Sequence, residues 1–425
     1  MANNFDSNIT RKLARVFLEK FETNRVISKN VDTQLLSGQF DPSTGDTVDF
    51  KRPTDYVSVR TANGDVSGET ASDIITGKAS GVVQDYFTAF VNYDEADEAI
   101  KMDQLDQLLA PLATRIVTDM ELDFSAFMMK NSALLAGTYG TAADTWDDIA
   151  EAGAVLQSHG VPFDDTICYA VNPFTQRKLA STNRSLGAGG VAGELIRNSL
   201  EKATIAENFA GMNVITATTL ASYTTSSVAD RAGTLSADPV VTYVAHKDTM
   251  KQTLAVTGMG AAAVVKAGEV IQISGRNRLN LSTRKEILDE TGANILWTGV
   301  VTEDVTLDGS GAGNLTVSGP AIYEASGAYN TVNSAPVSGD VVTRLGSDAS
   351  TYQPNLFWHK QAFSLGSVPI KKLYSTDTLA TTEDGLQIRV SKYSDGDANK
   401  QKVRFDLRPA YGVMNPFFAG QGFGS

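Results

Sequence analysis

The apolar positions follow three different rhythms along the chain. Residues 9–27 place Ile9, Leu13, Val16, Phe17 and Phe21 at helical spacing, which predicts a short amphipathic helix with a basic face. From Thr44 to Tyr93 the pattern turns extended, with Val48 and Phe50, then Val57 and Val59, an Asn63-Gly64 turn signal and a returning run VVQDYFTAFVNY. This reads as a long two-stranded excursion. Its middle, from Asn63 to Ser80, is rich in Gly, Ser, Thr and Asp, too polar to fold without a neighbouring surface. A helix follows in which Pro111 is a first-turn residue and Leu112, Ile116, Met120, Phe124, Phe127 and Met128 form an apolar stripe. Asp119, Glu121 and Asp123 lie off that stripe and read as its wet face.

Helix and strand then alternate, as in an α/β layer. Thr145 with Asp148 makes an imperfect capping box, opening a helix that Gly160 closes as a left-handed cap. A buried-type strand, TICYAV, comes next, and Asn172-Pro173 starts a helix through Ala180. Beyond the loop GAGGVAG, a helix is expected around Leu195 to Ala203, and NFAGMNVITATTL turns into an edge-type strand.

From about Tyr223 to about Gly346 the pattern is β throughout: VVTYVAH, QTLAVTG, AAVVKAGEVIQIS, ILWTGVVTEDVTLD, NLTVSG and DVVTRLG, with turn residues between and no helix expected. Val305 and Leu307 alternate with Asp304, Thr306 and Asp308, and DGSGAGN turns the chain into Leu315 and Val317 as a hairpin. Short antiparallel strands avoid exposed edges by closing, so a small barrel is predicted. After Tyr352, FWHKQAFSL, GLQIRVSKY and KVRFDLRPAYGVMNP are expected to complete the α/β domain begun before the β segment. The organisation is a host domain with an insert.

Composition narrows the function. With 42% hydrophobic and 20% charged residues, the chain has the balance of packed domains. A net charge of −13 argues against a nucleic-acid reader, whose affinity comes from Lys and Arg neutralising phosphates. The charge is uneven: residues 85–124 carry ten acids against Lys101 and Arg115, while the first thirty residues are net +3 through Arg11, Lys12, Arg15, Lys20, Arg25 and Lys29. Cys168 is the sole cysteine, so no intrachain disulfide forms. The polar start MANNFDSNIT carries no apolar leader core, and no stretch approaches the roughly 18 apolar residues of a membrane span. A cytoplasmic protein is expected.

Catalytic chemistry is sparse. His159, His246 and His359 lie far apart, none with an HxxxH, HxH or Cys partner, so packed or solvated histidines are expected rather than a metal site. Gly77-Lys78-Ala79-Ser80 lacks the earlier Gly and the Lys-Ser/Thr pairing of a phosphate loop, and GAGGVAG follows a predicted helix rather than a strand. Asp395 and Asp397 in SDGDANK lack the spacing and terminal Glu of a calcium loop. No GxSxG occurs, and Cys168 sits in an apolar strand where thiols are inert. No cofactor and no enzymatic activity are expected.

With this layout, VDTQLLSGQFDPSTGDTVDFKRP (residues 31–53), NFAGMNVITATTL and IRVSKYSDGDANKQKVRFDLRPAYGVMNP resemble the major capsid proteins of tailed phages. The resemblance is to coat proteins of short-tailed Salmonella and Shigella phages and covers nearly the whole chain. It implies an α+β, HK97-like capsid fold: an N-terminal arm (1–35), an extended loop with flanking peripheral-domain strands (36–93), a spine helix with the peripheral domain (94–144), and an axial domain. The axial domain would comprise 145–221 and 351–425, the latter also returning to the peripheral domain, with an inserted β-barrel domain at 222–350. The implied function is a virion component, assembled in the host bacterial cytoplasm. Copies would form hexamers and pentamers with a scaffolding protein and a portal at one vertex, enclosing double-stranded DNA without sequence-specific binding and without a membrane.

Some relatives join a loop lysine to a neighbour's asparagine. The loop here carries Lys51 and Lys78, but no such site is recognised in this branch and assembly is expected to be non-covalent. Candidate assembly contacts are Arg11, Lys12 and Arg15 on the arm, Lys51, Arg52, Arg60 and Lys78 on the loop, and Asp119, Glu121 and Asp123 on the spine helix. The alternative is another phage structural protein, a tail or surface-adhesion component, suggested by the Thr/Ser/Gly-rich β insert.

Overall fold

The computed structural model describes residues 5–33, 35, 47–69, 72–94, 105–164, 166–186, 202–205, 208–325, 327–375, 377–395 and 400–425. Asp94, expected to start the spine helix, ends a strand instead, and the rest of that expected start at 95–104, the GAGGVAG loop with most of the helix after it, and the centre of the SDGDANK turn lie outside the described residues. The chain divides into two compact units, one of residues 1–49, 80–125 and 363–412, the other of 50–79, 126–362 and 413–425.

In the first unit, helix α1 (Phe5–Asn24) buries Leu13, Ala14, Phe17 and Phe21 and leaves Arg11, Lys12 and Arg15 exposed, as its apolar spacing requires. Phe17 stacks on Phe405, ring centroids 4.5 Å apart. Phe405 belongs to a four-stranded antiparallel sheet ordered Thr378–Thr381, Gln387–Asp395, Lys400–Leu407, Phe87–Asp94. Its alternation puts Val403, Phe405 and Leu407 into the core. A second sheet is ordered Thr47–Lys51, Lys78–Val83, Pro409–Val413, Phe363–Ser367.

Helix α2 spans Leu105–Asn131. Pro111 therefore lies inside the helix rather than in its first turn, where its missing N–H forgoes one main-chain bond. The twenty residues that follow it carry enough buried apolar contact, from Ile116 to Met128, to keep the helix continuous.

In the second unit, a six-stranded sheet is ordered Leu134–Ala136, Ala419–Gly422, Asn355–His359, Ile167–Val171, Met212–Thr216, Asn208–Phe209. Every residue of Ile167–Val171 and Asn355–His359 is buried, consistent with central strands. Helix α3 (Trp146–Ser158) packs Ile149, Ala152 and Leu156 into this core, and α4 (Pro173–Leu186) adds Leu179 and Ala180. The capping box is complete: Thr145 Oγ1 accepts from Asp148 N, and Asp148 Oδ2 accepts from Thr145 N at 2.8 Å. Asn172 Oδ1 accepts from Thr175 N at 2.7 Å, and α4 runs a turn and a half past Ala180. Met212–Thr216 is nearly an edge strand, with only the two-residue strand Asn208–Phe209 outside it.

The strands after Tyr352 do not all complete this sheet. Asn355–His359 and Ala419–Gly422 do, whereas Phe363–Ser367 and the strands from Thr378 to Val413 form the sheets of the first unit. Alternation identifies a strand but not the sheet it joins.

The insert closes into a six-stranded antiparallel barrel, ordered Lys251–Thr257, Gly313–Ser318, Leu296–Val301, Val270–Asn277, Val341–Arg344, Ala232–Leu235. Leu254, Val256, Ile271, Ile273, Trp297, Leu315, Val317 and Val342 fill it. Two local expectations are corrected. VVTYVAH is not a strand: Tyr243–His246 forms one helical turn, held where both ring nitrogens of His246 meet main-chain oxygens, Val240 O at 2.7 Å and Lys251 O at 2.8 Å. The DGSGAGN turn exists, with Asp308 Oδ1 accepting from Ser310 N and Ala312 N, but the strands flanking it do not form the ladder expected. Val305–Thr306 pairs with Val264–Val265, while Gly313–Ser318 pairs with two barrel strands. Barrel closure chose the partners.

Candidate assembly contacts

The ten candidate residues separate into those facing solvent and those committed inside the chain. Arg11, Lys12 and Arg15 share the exposed face of α1. Lys51, Arg60 and Lys78 are exposed on the loop and its flanking strands. Asp119 pairs with Arg115 one turn earlier at 2.9 Å, and Asp123 is exposed on the same helix.

Glu121 is not on the wet face. Its side chain is buried, with Oε2 accepting from Ile27 N at 2.8 Å, Oε1 accepting from Ser28 N at 3.0 Å, and the Ser28 hydroxyl also donating to Oε1. Burial raises the Glu121 pKa, against the pull of these bonds and of Arg25. Arg25 itself donates to Ser28 Oγ at 2.8 Å and pairs with Asp384 at 2.8 Å. The carboxylate thus ties the bend after α1 to α2. Val117, Glu121, Ser125 and Met128 line a second buried row of the helix, beside the apolar stripe.

Arg52 is likewise turned inward, 7% exposed, and burial lowers its pKa to about 10. Its guanidinium donates to three main-chain carbonyls: Lys78 O at 3.1 Å, Val413 O at 3.3 Å, and Met414 O. A lone arginine beside a loop gives no sequence sign of such a role.

Beyond these roots the loop is open. Tyr56, Val57, Val59, Val66 and Ile74 are exposed, Ile74 by 75%, an unusual density of apolar side chains in solvent. The residues that hold the loop's base, Asp55, Tyr243, Asp248, Arg284 and Tyr329, escaped the sequence reading because nothing local marks a contact between positions some 170 to 270 residues apart.

The chemistry-bearing side chains are packed individually. His159 is buried beside Phe417, ring centroids 6.1 Å apart, and His359 Nε2 lies 2.9 Å from Thr166 Oγ1. Burial pushes the Cys168 thiol up to about 11. Among the described residues no group of three or more His, Cys, Asp or Glu is placed to hold a metal ion, and no helix is long and apolar enough to cross a membrane.

An α+β fold with an amphipathic first helix, a long loop of exposed apolar side chains, a long second helix and an inserted closed barrel is what the resemblance to HK97-like capsid subunits implied. The sequence agrees: residues 1–424 match the P22 coat protein family, described as P22 coat protein, gene protein 5. The chain belongs to this family of phage coat proteins. It is 37% identical over 429 residues, covering 100% of both chains, to a protein called "Major capsid protein" from Acyrthosiphon pisum secondary endosymbiont phage 1. Among solved structures it is similar to one of Mycobacterium phage Che8, with 13% identity, 94% of this chain and 92% of that chain covered, and a TM-score of 0.47. The capsid of a native GTA particle gives 9% identity, 90% and 86% coverage and a TM-score of 0.39. Those superpositions are loose, and membership of the family rests on the sequence matches.

Proposed function

We propose that this chain is the major capsid protein of a tailed phage, building the icosahedral head shell around double-stranded DNA. Copies associate non-covalently into hexamers and pentamers with a scaffolding protein and a portal at one vertex, in the bacterial cytoplasm, and the shell expands as DNA enters. Residues 1–35 act as arm, 36–93 as extended loop and its strands, 94–144 as spine helix with the peripheral domain, and 145–221 with 351–425 as axial domain and return. The barrel domain at 222–350 is inserted between the two axial parts.

The observation that carries this reading, beside family membership, is the loop itself. A segment exposing Tyr56, Val57, Val59, Val66 and Ile74 lowers its free energy by covering them, at about 25 cal/mol per Å² of apolar surface buried. A second copy supplies that cover at an interface of standard order, roughly 1,600 Å² or more in total. The net charge of −13 keeps free subunits soluble and leaves packaged DNA unbound to the wall.

Deleting residues 57–74 while keeping the anchored roots is the test. The variant is expected to remain a folded monomer that forms no shells in sedimentation with scaffold supplied. Normal particles from it would remove the loop from the assembly mechanism.

A further inference from the structure

The loop's two roots, rather than its exposed span, meet a prepared surface on the insert. The outbound limb reaches Asp55 and the inbound limb returns through Ile75, Thr76, Gly77 and Lys78. A single hydroxyl bridges both: Tyr329 Oη accepts from Asp55 N at 2.9 Å and donates to Ile75 O at 3.4 Å. The Tyr329 ring is fixed by stacking on Tyr243, centroids 3.6 Å apart and planes 1° from parallel. Arg284 pairs with the Asp55 carboxylate on one side. On the other, Lys78 N donates to Asp248 Oδ1 and Lys247 Nζ donates to Thr76 O, each at 3.1 Å.

Steric fit adds to the polar contacts. A Cβ placed on Gly77 would stand 2.5 Å from the Lys247 carbonyl oxygen, so the inbound root lies against the backbone just after the insert's helical turn Tyr243–His246 as only glycine allows. Gly68, out on the loop, has nothing within 4 Å of the same built atom. Residues 50–79 accordingly belong to the compact unit that contains the barrel, while 47–49 and 80–83 of the flanking strands belong to the other.

We infer that a face of the insert outside its barrel strands, formed by Tyr243, Lys247, Asp248, Arg284 and Tyr329, is a seat for the chain's own extended loop, fixing the direction in which the loop departs toward a neighbouring copy. The inference deepens the proposed function and rests on the loop being an assembly segment. A loop pinned at both limbs reaches its partner surface without first losing the orientational freedom of a loose one. Its polar tip retains the freedom to adapt. The insert then contributes to assembly from within the subunit, by aiming the segment that binds.

Hydrogen–deuterium exchange on the unassembled full-length chain tests the seat directly. Gly77→Ala wedges the inbound root off the insert. Tyr329→Phe keeps the ring stack and removes both hydroxyl bonds. Each is expected to speed exchange at the Asp55 and Lys78 amides on the order of tenfold, the scale of one or two lost hydrogen bonds. Exchange in the barrel strands Lys251–Thr257 and Gly313–Ser318 stays unchanged, and Gly68→Ala changes neither. Root exchange that stays slow in both variants, or rises only together with the barrel strands, overturns the seat.

Scaffold-supplied assembly of the same proteins provides the second reading. Aberrant or fewer shells from the two root variants, with normal shells from Gly68→Ala, support aiming. Loosened roots with normal shells overturn the aiming role while leaving the capsid assignment intact. Failure of the unaltered chain to form any shell strikes the capsid assignment instead, and with it the aiming.

Discussion

The Thr298 hydroxyl donates to the main-chain carbonyl of Ala133 at 2.9 Å, just beyond the end of α2 at Asn131. The same carbonyl receives Arg278 Nη2 at 3.4 Å, Ser318 Oγ donates to Asn131 O at 3.0 Å, and Gln421 Nε2 donates to Met129 O at 3.3 Å. The last carbonyls of a helix have no partner within it and carry the negative end of its dipole. Of the helix's own last carbonyls, Asn131 O takes its donor from the barrel strand residue Ser318, Met129 O takes Ser132 Oγ and Gln421 Nε2, and the insert's Thr298 and Arg278 hold the chain at Ala133, two residues past the helix end.

Thr298→Val keeps the side chain's shape and deletes its hydroxyl, leaving Ala133 O to Arg278 alone. The buried Arg278 Nη2 also donates to Thr298 Oγ1, so the change takes a donor from Ala133 O and an acceptor from the guanidinium, a cost of about 1–3 kcal/mol. The urea midpoint of the unassembled chain is expected to fall accordingly. Gly319→Ala tests the same junction sterically, because its Cβ would stand 2.4 Å from Ala133 Cβ at a backbone φ of +81°. The larger loss of stability belongs to Gly319→Ala, and equal midpoints for both variants and the parent would dismiss the junction as unimportant.

Glu121→Gln probes the tie between the arm and α2. The carboxylate accepts from two main-chain N–H groups and the Ser28 hydroxyl, whereas a carboxamide offers one oxygen and turns an N–H₂ toward a donor. A stability loss of about 2 kcal/mol is expected, with faster amide exchange confined first to Ile27 and Ser28. If those two amides exchange as before, the carboxylate is not what holds them.

The barrel and central sheet were legible because their physics is local: alternation, turn residues and caps state the strand or helix that they form. Thr145-Asp148 and Asn172-Pro173 are satisfied within a few residues of themselves, so sequence spacing suffices. Tyr243–His246 shows the limit even for local contacts, since a β-rich apolar run becomes a helical turn whose histidine ring meets Val240 O and Lys251 O, six and five residues away. The arm's exposed basic face followed from periodicity, whereas the inward turns of Glu121 and Arg52 did not. Their partners, Ile27 and Ser28 for one and Val413 and Met414 for the other, lie about 90 and 360 residues away. The loop seat was hidden for the same reason.

His159 gives the chain a specific pH dependence. Burial, reinforced by Arg278, holds its pKa well below the ordinary 6.5, so the folded chain keeps the ring neutral where the unfolded chain would protonate it. Stability from this group is fully present above pH about 6.5 and declines as pH falls toward the folded value, by up to about 1.4 kcal/mol per unit. His159→Gln removes the titration. Urea midpoints measured between pH about 7.5 and 5.5 should therefore fall more steeply for the parent than for the variant, and parallel slopes would assign the pH dependence elsewhere.

The arm's charge offers a test in which salt decides the mechanism. Arg11, Lys12 and Arg15 project from the face of α1 opposite Leu13, Ala14, Phe17 and Phe21, so replacing all three by Glu leaves the buried stripe untouched. Helix content by circular dichroism should be preserved. If that face meets an acidic surface on scaffold or on a neighbouring copy, reversal turns attraction into repulsion over a Debye length of about 30 Å at 0.01 M salt but about 3 Å at 1 M. Particle yield is then expected to drop sharply at low salt and recover part of the loss at high salt. A loss independent of salt would point to shape rather than charge, and an undiminished yield at every salt concentration would free the arm's basic face from any part in assembly.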